Sequence, residues 1–201
     1  INTSIEKSLG KLLAIQSKQL NSFMHSQAMR IFEWDPSNII WVKKFLSLFS
    51  GFKKDVIIES IKQHELFVQK NKKNLKHSVT HGDPNDYNIV VKNEKIVGLI
   101  DFGDSIYAPS INDLAIALSY SLTQSHNLFD TLNNIVGSYN KIYPINDDEI
   151  YSLFSLIKSR LVITLVMAAK QRKKYPDNRY LSISEKNAWL LIFKLNKIDP
   201  Y

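Results

Sequence analysis

The stretch that decides the fold is His81-Gly82-Asp83-Pro84-Asn85-Asp86-Tyr87-Asn88-Ile89-Val90-Val91, followed by Lys92-Asn93-Glu94-Lys95 and then Ile96-Val97-Gly98-Leu99-Ile100-Asp101-Phe102-Gly103-Asp104. Two apolar β-prone runs, Ile89 to Val91 and Ile96 to Ile100, flank a polar break with the length and composition of a hairpin loop. A hairpin brings its outer ends together. Asp83 and Asn88 lie at one end and Asp101 at the other, so two carboxylates and a carboxamide are expected to converge on one small volume. All three offer hard oxygens, which suit Mg2+, a cation that keeps several waters and takes other ligands from phosphates.

The order His-Gly-Asp, four residues, Asn, a strand pair and Asp-Phe-Gly resembles the catalytic centre of the protein-kinase-like fold, in particular its aminoglycoside phosphotransferase and choline kinase branch. Taken singly these tripeptides are weak signals; in this order they reinforce one another. The resemblance implies that Asp83 orients, or takes the proton of, an acceptor hydroxyl. It implies that Asn88 and Asp101 hold Mg2+ against the phosphates of ATP or GTP. His81 reads as a scaffold under the loop, and Asp113, in an Asp-Leu-Ala run, as its backbone brace. Gly82 stands where protein kinases carry Arg, which removes the pairing to a phosphorylated activation loop and favours a small-molecule kinase.

Four other residues have two readings each. Asp86 and Asp104 are either solvated loop carboxylates or contacts to a cationic substrate or the metal shell. In Arg30-Ile31-Phe32-Glu33-Trp34-Asp35-Pro36-Ser37-Asn38, Trp34 is either a core anchor or an aromatic substrate wall. Asp35 either caps the next helix, as Ser37 could, or meets an amine.

Four stretches, Ser8 to Ala14, Arg30 to Asp35, Ile100 to Asp104 with Ile111 to Ala117, and Tyr180 to Glu185 before Ala188-Trp189, resemble hydroxylysine kinase-type proteins and bacterial phosphotransferase domains fused to class III aminotransferase-like enzymes. This closer likeness implies a small amino alcohol acceptor of the hydroxylysine or ethanolamine type. Aminoglycosides, choline and homoserine are the alternatives. It also implies a fused or associated pyridoxal-phosphate-dependent domain that would consume the product. The relatives tend to carry Leu after the Asp where this chain has Pro36.

Composition bounds the rest. The 201 residues are 44% hydrophobic and 22% charged, ordinary for one globular domain. No apolar run is read as membrane-spanning, no secretory signal is evident, and the cytoplasm is the default address of a nucleotide-dependent kinase. With no cysteine, disulfides and thiolate zinc sites are excluded. The net charge of +7 comes without a basic motif interleaved with aromatics, so no nucleic-acid partner is expected.

In chain order, the first thirty residues read as one helix, and helices are expected over Ile39 to Phe49 and Asp55 to Lys70. Val79 reads as a short strand before the catalytic loop. An apolar helix should follow Ser110, with further helices at His126 to Tyr143 and Asp147 to Lys174, and a last one from the capping-box pattern Ser182 to Glu185. The fold class is thus α+β, mostly α. It is a single domain over 1–201, equivalent to the C-terminal catalytic lobe of a kinase-like fold: a helical bundle with a small β-hairpin carrying the catalytic loop and metal triplet. The N-terminal nucleotide-binding lobe is expected in cis but outside this chain, leaving the isolated lobe inactive. A silent kinase-like binding scaffold and a basic helical interaction module are the readings from other classes.

Overall fold

The structure is a computed structural model that describes residues 2–175 and 181–198, apart from the side chains of 181–184. Its spine is α5 (Asp147–Lys174), whose start and end coincide with the sequence expectation. The start is fixed by a reciprocal cap: Asn146 Oδ1 accepts from Glu149 N (2.8 Å) while Glu149 Oε2 accepts from Asn146 N (3.0 Å). Three acids in its first turn and three bases in its last complement the helix dipole. By length and composition α5 could cross a membrane, contrary to the reading that no run reaches that length; 78% of the apolar window is buried inside this fold. Its buried face, including Leu156, Ile157, Val162, Leu165 and Val166, forms the core with α3 (Ile111–Thr123), α2 (Gly51–His64) and α6 (Leu181–Leu195).

The first helix, α1 (Thr3–Leu20), stops ten residues short of the expected end. Beyond Leu20 the chain is polar, and Phe23 and Met24 are exposed, so no buried face sustains the helix. α1 packs on α4 (Leu128–Asn140) closely enough that a Cβ on Gly10 would lie 2.1 Å from the Ile135 carbonyl oxygen. Residues Ile40–Leu48 form a 3-10 helix rather than an α-helix, and no side chain caps it. α2 begins at Gly51, four residues before the expected start at Asp55, and passes into a π-turn at Glu65–Gln69. α6 already includes Ser182, whose expected capping contact lies outside the described side chains.

Among the described residues, four strands form two antiparallel pairs. β2 (Ile89–Lys92) and β3 (Lys95–Leu99) make the expected hairpin, with positive φ at Asn93 and Glu94 giving its two-residue turn. β1 (His77–Thr80) pairs with β4 (Ile106–Pro109), a partner too short and too close to a proline to stand out in the sequence. α1 grips the hairpin from outside: Ser8 Oγ accepts from Ile96 N (2.9 Å) and lies 3.3 Å from Ile96 O.

Candidate active site

β1 ends at Thr80 and delivers His81, Gly82 and Asp83 to the open end of the hairpin. The Ile89 to Leu99 pairing is extended outward by Ile100 N donating to Asn88 O (2.9 Å). Asn88 and Asp101 therefore flank the same end of the ladder. Asn88 Nδ2 donates to the Asp83 carbonyl (2.9 Å), tying the third member to the other two.

The loop is held from beneath by Asp113 in the first turn of α3. Its Oδ2 accepts from His81 N (2.8 Å) and Gln16 Nε2 (2.8 Å), and its Oδ1 accepts from Gly82 N (3.0 Å). The carboxyl is fully buried, and desolvation pushes its pKa up while the two loop N–H groups pull it back. His81 is buried too. Its Nδ1 accepts from Asp83 N (3.2 Å), so Nε2 carries the proton and donates to Ile100 O (2.9 Å). The ring thus bridges the Asp83 loop to Ile100, between the end of β3 and Asp101, and it lies 4.5 Å from the Phe102 ring.

Gly82 is required by geometry. Its φ is +86°, and a Cβ there would sit 2.2 Å from the Asp104 carbonyl oxygen, so the loop and the triplet segment touch through backbone. Asp101 occupies the left-handed region (φ 64°), where Asp is tolerated, and its Oδ1 accepts from Gly103 N (3.3 Å). Arg30 Nη2 donates to Gly103 O (2.9 Å) and joins this group from the loop before the 3-10 helix.

Asp83 is anchored at both oxygens. Oδ2 accepts from Asn85 Nδ2 (2.6 Å), and Oδ1 pairs with Arg160 Nη2 (2.6 Å) from the middle of α5. Sequence reading missed Arg160. The signal available was a cation, two residues after Lys158, at the head of the largely apolar run Leu161 to Ala169.

The candidate substrate residues divide. Trp34 turns its ring to the Arg160 guanidinium (4.7 Å) and its carbonyl to Arg160 Nη1 (3.2 Å). Asp35 does not cap the 3-10 helix: its Oδ1 accepts from Ser37 N (2.8 Å), Ser37 Oγ (2.7 Å) and Asn112 Nδ2 (2.9 Å), which moors the turn to α3. Asp86 is exposed, accepts from Gln124 Nε2 (3.2 Å), and lines a cleft of about 150 Å³ together with Tyr120, Thr123, Thr164 and Asn187. Asp104 is half-buried behind Gly82.

The donor set at the hairpin end, one carboxylate and one carboxamide oxygen, fits a hard divalent cation. No group of three His, Cys, Asp or Glu residues that could hold a metal occurs among the described residues. A cation here would therefore draw its remaining ligands from water and phosphate, the habit of Mg2+.

Known proteins resemble this chain in sequence and in fold. Hydroxylysine kinase of Mus musculus is 29% identical over 196 residues, covering 90% of this chain and 52% of that protein. Hydroxylysine kinase of Xenopus laevis is 29% identical over 198 residues, covering 90% and 53%. The chain spans about half the length of the curated relatives it matches. Among solved structures, amicoumacin kinase in complex with AMP-PNP, Ca2+ and Ami superposes with a TM-score of 0.63 at 13% identity, over 99% of this chain and 60% of that one, a likeness of fold. The model of the phosphotransferase enzyme family (APH) matches residues 22–139, more than half of the chain and the whole of the stretch 81–104, and the chain belongs to that family.

Proposed function

We propose that this chain is the catalytic lobe of a small-molecule kinase that transfers the terminal phosphoryl group of ATP or GTP to the hydroxyl of a small amino alcohol of the hydroxylysine or ethanolamine type. The observation that carries the reading is the meeting of Asp83, Asn88 and Asp101 at one end of the hairpin, on a loop braced by Asp113. Phosphoryl transfer asks a protein mainly to position groups and neutralise charge. Asp83 would orient the acceptor hydroxyl and take its proton as the new P–O bond forms. Asn88 and Asp101 would hold the cation, which neutralises charge on the donor phosphates when bound. Asp113 and His81 would touch neither substrate and would keep the Asp83 loop and the Asp101 strand in register. Asp86, exposed and lining the cleft, would meet an acceptor amine. The cover for the donor phosphates would come in cis from residues outside this chain.

The acceptor class is carried by the names of the relatives and by the exposed carboxylate. It is tested by following nucleotide consumption in the full-length protein with Mg2+ and ATP or GTP. The acceptor panel is hydroxylysine, ethanolamine, choline, homoserine and an aminoglycoside. Turnover stimulated by hydroxylysine or ethanolamine supports the reading. Turnover with only an aminoglycoside or choline would move the acceptor class, and silence throughout would remove the kinase assignment.

A further inference from the structure

Arg160 is the residue whose placement the sequence does not explain. It lies in the middle of α5, its side chain is 3% exposed, and its Nη2 meets Asp83 Oδ1 at 2.6 Å. A cation in the core is costly unless its charge and its donors are matched. Here the matching converges on the active-site loop. Nη2 also donates to the Tyr120 hydroxyl (3.2 Å), Nη1 donates to the Trp34 carbonyl (3.2 Å), and the guanidinium lies 4.7 Å from the Trp34 ring centre and 5.7 Å from that of Tyr120. Nε is buried without a partner among the described residues, so the group is held by these contacts and not by the best use of its five donors. The two described cavities near the loop share Asp86, Tyr120 and Gln124 in their walls, and Arg160 lines neither. Asp86 lines both cavities, whereas the guanidinium reaches the loop only through Asp83.

We propose that Arg160 is a positioning residue for the phosphoryl transfer: framed by Trp34 and Tyr120, it fixes the Asp83 carboxylate from the α5 side so that this carboxylate meets the acceptor hydroxyl in one orientation. The inference rests on the proposed kinase reading. Asn85 secures the other oxygen, but Asn85 sits on the same loop and moves with it. Arg160 ties the carboxylate to the rigid core, because α5 is the helix against which α2, α3 and α6 pack. The same contact gives Trp34 a role in the frame of the guanidinium in place of a substrate wall.

A guanidinium that acts through Asp83 affects the rate more than substrate affinity, since a reacting group displaced by about 1 Å loses roughly 10²-fold. The experiment uses the full-length protein with Mg2+, ATP and hydroxylysine, or the acceptor turned over in the panel. It compares Arg160→Met, Arg160→Lys, Asp83→Asn and the double variant Asp83→Asn/Arg160→Met, with melting curves to count folded protein. Expected is a fall of about 10²-fold in kcat for Arg160→Met per folded molecule, with both KM values within threefold, and a smaller fall for Arg160→Lys, which keeps charge but not the planar fork. Adding Arg160→Met to Asp83→Asn should cost no more than threefold, because the two residues act as one unit.

Wild-type kcat in folded Arg160→Met, or a full further loss in the double variant, would overturn the positioning role while leaving the kinase reading intact. If Arg160→Met does not fold, kcat of Arg160→Lys decides by the same criterion, unchanged kcat overturning the role. Silence of the wild type across the panel would overturn both.

Discussion

Replacing Gly82 by Ala probes the joint between the loop that carries Asp83 and the Asp101-Phe102-Gly103 triplet. Two costs are visible. At φ +86° an alanine is strained by about 1–2 kcal/mol, and its Cβ would stand 2.2 Å from a backbone oxygen of Asp104. That oxygen is not the tip of a flexible side chain, so relief requires the two backbone segments to part by about 1 Å, to the roughly 3.4 Å of an ordinary contact. The strain alone should lower the melting temperature by about 2–8 °C in a domain of this size. The parting moves Asp83 relative to Asp101 and should lower kcat about 10²-fold, with donor and acceptor KM changing less. Differential scanning fluorimetry and steady-state kinetics on the full-length protein read both. A Gly82→Ala protein with wild-type melting and kcat within threefold would refute the claim that loop and triplet are in enforced backbone contact.

Two further outcomes are expected. Asp113→Ala leaves the N–H groups of His81 and Gly82 buried without acceptors, and should destabilise by about 3–5 kcal/mol while lowering kcat; equilibrium urea unfolding with kinetics on the folded fraction checks this, and a loss under 1 kcal/mol would argue against the brace. His64 is buried, and desolvation lowers its pKa from 6.5 to about 4, so the folded ring stays neutral where the unfolded ring takes a proton. Its contribution is therefore present above pH 6.5 and lost as pH falls towards 4. About 3 kcal/mol of acid destabilisation should disappear in His64→Gln, measured by urea unfolding at pH 7 and pH 4.5; parallel profiles for the two proteins would contradict it.

The parts of this fold that were legible in the sequence are those where local chemistry and tertiary need agree. The hairpin, the Asp101 turn and both ends of α5 carry their own signals in strand propensity, turn residues and end charges. Other elements are decided by packing. Phe23 and Met24 fit a helical period, yet nothing covers them, so α1 stops; β4 exists because β1 needs a partner. The site divides the same way. Asp83, Asn88 and Asp101 lie within one motif-bearing stretch, whereas Arg160 arrives from a helix 77 positions away, and spacing along the chain carries no information about such an approach. Asp35 looked free to cap a helix because its acceptor duties to Ser37 and Asn112 exist only in the folded chain.

The central claim is that the group at the hairpin end transfers phosphoryl through Asp83. It is tested most directly by following the acceptor itself, with mass spectrometry of hydroxylysine incubated with the full-length protein, Mg2+ and ATP, for wild type and Asp83→Ala side by side. The account expects a phosphorylated hydroxylysine from the wild type, formed at least 10³-fold more slowly by a folded Asp83→Ala protein, on the order of the loss of a general base with its positioning. Equal rates of product formation from the two proteins would contradict it.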